Sequence, residues 1–82
     1  MTKAIELDPN DAAYKNRGIA YFLLKAYDKA IEDFETAIKM EPEKHFEPYQ
    51  GLYEVYKELN QPEKAEKYLQ KAIELGYKPE EE

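Results

Sequence analysis

Apolar and aromatic positions return along this chain at spacings of three and four, with charged positions filling the gaps. A period near 3.6 marks amphipathic helices, and four such stretches are present. Tyr14, Gly18, Tyr21 and Leu24 share one face of a predicted helix over 11–24, with Asn10 placed to cap it after Pro9. Ala30, Phe34, Ala37 and Ile38 form the stripe of a second over 28–40. Glu41-Pro42 ends it, since a residue before proline is pushed out of the helical region. Tyr49, Leu52, Tyr53 and Tyr56 mark a third over 47–59, with Pro48 in a first turn where its missing N–H costs nothing. Ala65, Leu69, Ala72 and Ile73 mark a fourth over 62–75, started by Asn60-Gln61-Pro62 and stopped by Gly76. Short loops make consecutive helices antiparallel neighbours. On the outer faces, Glu35–Lys39 and Glu63–Lys67 stand in the favourable order for ion pairs one turn apart.

The pattern repeats. A shift of 35 residues superposes Tyr14 on Tyr49, Tyr21 on Tyr56, Ala30 on Ala65, Phe34 on Leu69, Ala37 on Ala72 and Ile38 on Ile73. Ala4 to Pro9 echoes Ala37 to Pro42, so a fragment of a further copy precedes the two full ones. Small residues at 18, 30, 37, 65 and 72 let helix axes approach, and the large rings fill the space beside them. One hairpin cannot bury its apolar face alone, so the copies must stack. The expected architecture is all-α: stacked antiparallel helix hairpins in one domain over 1–82, with a partial repeat at 3–9, full repeats at 11–44 and 46–79, and an acidic tail at 80–82.

These residues resemble the tetratricopeptide repeat family, whose signature spreads an aromatic, Leu-Gly, Tyr, Ala, an aromatic, Ala and Pro over one repeat. The first copy presents Tyr14, Gly18, Tyr21, Ala30, Phe34, Ala37 and Pro42 at the matching places, and the second Tyr49, Leu52, Tyr56, Ala65, Leu69 and Ala72. The resemblance spans almost the whole chain. Six residues depart from the signature. Arg17 replaces a leucine, Tyr53 stands where a small residue allows close helix contact, Lys25 and Asn60 occupy turn positions that favour glycine, Leu69 replaces an aromatic, and Tyr77 takes a proline's place.

The resemblance implies a non-catalytic scaffold whose first helices line a concave, protein- or peptide-binding face. It assigns Ala12, Lys15, Asn16, Ile19, Phe22 and Leu23 to that face in the first copy, and Glu47, Gln50, Glu54, Lys57 and Glu58 in the second. The first set is mainly apolar and the second mainly acidic, which suits an apolar segment with a basic end. Ile19 and Phe22 have a second reading, as packing against a neighbouring helix. One subclass of the family grips a C-terminal carboxylate with lysine, asparagine and arginine. Lys15 and Asn16 match it, but Ile19, Glu47 and Gly51 cannot serve as partners. Arg17 has two readings, a grip on a partner's carboxylate and, in preference, a structural role with its stem along the partial repeat and its guanidinium near Glu6 or Asp8.

Composition narrows the chemistry. There is no cysteine, no serine and one histidine, His45, so nucleophile–base sets and transition-metal sites are not expected. The three glycines are isolated, so there is no phosphate loop. Glu32, Asp33 and Glu35 read as a solvated face. No cofactor is expected. A net charge of −6 argues against nucleic acid, and the lack of a long apolar run or an apolar leader predicts no membrane association and a soluble, cytoplasmic chain. A second class of function competes with peptide binding. A unit, natural or engineered, could oligomerise through uncapped terminal helix faces, with Tyr68, Leu69 and Ile73 as the end face.

Overall fold

A computed structural model describes residues 10–78. The partial repeat, Pro79 and the acidic tail lie outside the described residues. Four helices follow one another: α1 (Asp11–Leu23), α2 (Tyr27–Met40), α3 (Glu47–Glu58) and α4 (Pro62–Glu74). Each expected helix is present, and the ends have local causes. Asn10 takes extended backbone and its Oδ1 accepts from the Ala13 N–H at 2.8 Å, capping α1. Glu41 leaves the helical region before Pro42. Pro48 and Pro62 occupy first turns.

Three helices end in the same way. After α1, the Lys25 N–H donates to the Phe22 carbonyl at 2.9 Å and the Ala26 N–H to the Tyr21 carbonyl at 2.8 Å. Asn60 and Gln61 repeat this arrangement after α3, as do Gly76 and Tyr77 after α4. It requires a left-handed residue at the turn, and φ is 63° at Lys25, 62° at Asn60 and 116° at Gly76. The exposed Lys25 side chain gains nothing from that backbone, so Lys25→Gly should stabilise the domain by about 0.5–1 kcal/mol, net of added freedom in the unfolded chain. Urea denaturation followed by circular dichroism measures this, and a fall in midpoint would contradict it.

The helices pack in series, α1 on α2, α2 on α3 and α3 on α4, and α1 also reaches α3. Ala30, Leu52, Val55 and Ala72 are fully enclosed, and Phe34 and Ala37 nearly so. Alanines on the second helix of each hairpin permit the close approach that lets the larger side chains interlock. Tyr49 and Tyr56 are buried, whereas their counterparts Tyr14 and Tyr21 are half-buried, because α3 lies between α2 and α4 and α1 is the outer element of the described array. Tyr53 is half-buried at the rim of the core, with Lys57 Nζ 5.0 Å from its ring centre.

Several expectations need correcting. Asp33 is not on a solvated face: it is 2% exposed. The Arg17 guanidinium grips it with both arms, Nε donating to Oδ2 at 2.7 Å and Nη2 to Oδ1 at 2.8 Å. Arg17 therefore ties α1 to α2, and Glu6 and Asp8 lie outside the described residues. Neither Glu35–Lys39 nor Glu63–Lys67 is among the ion pairs; Lys71 instead reaches Glu43 at 2.9 Å, across the inter-repeat linker. His45 lies 3.9 Å from Asp11 in the first turn of α1. Tyr68 of the expected end face is half-buried, its ring stacked on Tyr56 with centroids 5.8 Å apart and lying 6.5 Å from Tyr49.

Burial pushes the phenols of Tyr56 and Tyr68 above the ordinary tyrosine value. The folded state therefore holds those protons more tightly than the unfolded chain does. Stability should be level with respect to these groups up to about pH 10 and fall above it, as the unfolded chain ionises first. Phe substitution at both positions should flatten the alkaline decline in a urea midpoint series, and an unchanged decline would show that other groups cause it.

Candidate functional site

Phe34 organises the surface between the two first helices. Its ring comes from α2 and wedges between α1 and α3, where each helix offers a glycine. A Cβ at Gly18 would sit 3.0 Å from Phe34 Cε1, and one at Gly51 only 2.6 Å from Cε1 and Cε2. Real side chains do not approach that closely, so the bare backbone at Gly51 is what lets α3 settle on the ring. A groove of about 280 Å³ opens above it, with Phe34 as floor.

The two walls differ in chemistry. Ile19, Phe22 and Leu23 of α1 form an apolar wall. Glu47, Gln50, Gly51 and Glu54 of α3 form a polar, acidic one. Ile19 is 40% exposed and Leu23 72%, and the two lie together on this wall. Phe22 is half-buried, packs its ring 5.8 Å from Tyr27 of α2 and also lines the groove. Glu47 and Gln50 are half-buried and their side chains engage in no hydrogen bond or ion pair among the described residues. Glu54 lies 3.6 Å from Lys57, whose ammonium is held above the usual lysine value, first by the Glu54 charge.

Of the eleven residues the sequence assigned to the binding face, Ile19, Phe22, Leu23, Glu47, Gln50 and Glu54 converge on one groove. Lys15 is half-buried and Asn16 and Lys57 are exposed, all three outside the lining. On α4, Leu69 is half-buried and Ile73 is 41% exposed. Sequence reasoning missed Phe34 and Gly51 as groove residues. An isolated glycine inside the α3 stripe was the available signal, since it marks close backbone approach. The Arg17–Asp33 pair had no comparable signal beyond arginine at a position of leucine. Arg17 sits beside two rings as well, 5.7 Å from the centres of both Tyr14 and Tyr21. Its pKa is raised above the usual arginine value, mostly by the hydrogen bonds to Asp33 and partly offset by desolvation.

Among the described residues, no group of three histidine, cysteine, aspartate or glutamate side chains is arranged to hold a metal ion. No described helix is long and apolar enough to cross a membrane.

Family models for the tetratricopeptide repeat match residues 12–44 and 54–75. Together with the stacked hairpins, this places the chain in the tetratricopeptide repeat family. Similarity extends to the small glutamine-rich tetratricopeptide repeat-containing protein 2 of Saccharomyces cerevisiae, 35% identical over 75 residues that are 90% of this chain and 21% of that protein. The Hsp70-Hsp90 organizing protein 3 of Arabidopsis thaliana is 36% identical over 59 residues, 71% of this chain and 10% of that protein. Tetratricopeptide repeat protein 13 of Homo sapiens is 40% identical over 40 residues, 49% of this chain and 5% of that protein. The chain thus spans about a fifth or less of the length of these relatives.

Proposed function

We propose that the chain is a non-catalytic scaffold that binds protein or peptide segments in the groove between α1 and α3. The observation that carries this reading is the exposed Ile19 and Leu23 standing over the Phe34 floor, opposite Glu47 and Gln50, whose side chains have no partner among the described residues. The similarity to a relative named as an organizing protein supports a role in bringing proteins together. Ile19→Glu and Leu23→Glu should each abolish binding of apolar-centred peptides while leaving the helical circular dichroism unchanged. Retained binding in both variants would refute the groove.

The exposed Ile73 beside Leu69 favours a second reading, self-association through the outer side of α4. Light scattering over a range of concentrations tests it. A discrete oligomer that reverts to monomer in Ile73→Glu supports it, and a monomer throughout excludes it.

A further inference from the structure

We infer that the groove selects segments in which one or two apolar side chains are followed closely by a lysine or arginine, and rejects acidic tails and free carboxylates. This rests on the groove reading above and adds the chemistry of the occupant.

Charge around the groove is one-sided. Two carboxylates line it, Glu47 and Glu54, and no cation does. The chain's one arginine is spent: Arg17 is bound in two-pronged fashion to buried Asp33, on the side of α1 that packs on α2. Lys57 is held by Glu54 and the Tyr53 ring, and Lys15 lies outside the lining. An incoming carboxylate would therefore meet Glu47 with nothing to neutralise either group. A cation placed there meets the half-buried Glu47 carboxylate, which has no partner among the described residues, and the carbonyl oxygen of the Gln50 amide. Charge-assisted hydrogen bonds in a partly dried cleft are about twice as strong as neutral ones. The net charge of −6 adds a long-range pull on basic segments and hastens encounter. The apolar wall supplies the remaining contact: an aliphatic or aromatic side chain seated on Phe34 covers Ile19 and Leu23, and the acidic wall, across the groove, then takes the basic neighbour.

The test uses the full chain and three pools of fluorescein-labelled nonapeptides with both termini blocked. Each pool has Leu or Phe at two central positions, flanked by lysine, glutamine or glutamate. Fluorescence anisotropy should show the lysine pool binding at least about tenfold more tightly than the glutamine pool at low salt, with the gap closing at high salt and the glutamate pool weakest. Glu47→Gln combined with Glu54→Gln should bring the lysine pool to the level of the glutamine pool. Ile19→Ser should weaken both pools. If all three pools bind wild type equally and Ile19→Ser still weakens them, the groove stands and the charge preference is overturned. If no pool binds, or Ile19→Ser changes nothing, the groove reading falls and the preference with it.

Discussion

Arg17→Leu will destabilise the domain by about 3 kcal/mol, although leucine is the residue the repeat pattern calls for at this position. The cost comes from what is left behind. Asp33 is 2% exposed and its two carboxylate oxygens accept from Nε and Nη2 of Arg17. Removal of the guanidinium strands a buried charge, and leucine offers it no donor. The Tyr14 and Tyr21 rings, each with its centre 5.7 Å from the guanidinium carbon, lose that contact too. The double variant Arg17→Leu/Asp33→Ala should recover most of the loss, because replacing both members of a buried pair by apolar groups is often neutral. Urea denaturation of the wild type, both single variants and the double variant forms a complete cycle. If the single and double variants are equally unstable, Asp33 was not the source of the penalty. A shift of this size corresponds to roughly 12–24 °C in melting temperature for a domain of this length, which a thermal scan resolves easily.

Phe34→Ala will cost about 3–5 kcal/mol and will remove the floor of the groove at the same time. The ring is 1% exposed and is held between α1 and α3, so its removal leaves a void lined by two helices that cannot close without sliding past each other. The two glycines that face it should respond unequally. Alanine is a better helix former than glycine by about 1 kcal/mol. At Gly18, where a methyl would lie 3.0 Å from Cε1, that gain and a small shift of the ring should nearly cancel. At Gly51 the methyl would lie 2.6 Å from two ring carbons, and overpacking of about 1–3 kcal/mol should prevail. Phe34→Leu in the Gly51→Ala background should relieve part of that loss. Additive losses in the double variant would mean that the ring and the glycine do not oppose each other.

How much of this was legible beforehand differs between the helices and the surfaces they make. Helix limits follow from local rules that short stretches obey by themselves. Asn10 caps, Pro48 and Pro62 start, and Pro42 stops, whatever else is near. The left-handed turns at Lys25 and Asn60 were readable because both occupy the turn position of the repeat that favours glycine. Stacking was readable from the repeat itself, since identical stripes of alanine and aromatic residues require identical neighbours. The helices, their pairing and membership of the tetratricopeptide repeat family thus follow from period, punctuation and repetition in the sequence.

Tertiary structure decided which side of each helix a charged or large residue faces once two helices meet. Asp33 lies in a run of acidic residues that reads as solvated, yet the crossing of α1 and α2 encloses it and brings Arg17 to it from 16 positions away. Tyr68 reads as an end residue, and stacking on Tyr56 leaves it half-buried. Phe34 reads as core and also forms a groove floor, because two glycines on different helices admit its ring between them. The physical reason is common to all three. Period and caps depend on neighbours a few residues apart, whereas desolvation, ion pairing and groove shape depend on the distance between side chains that only packed helices bring together.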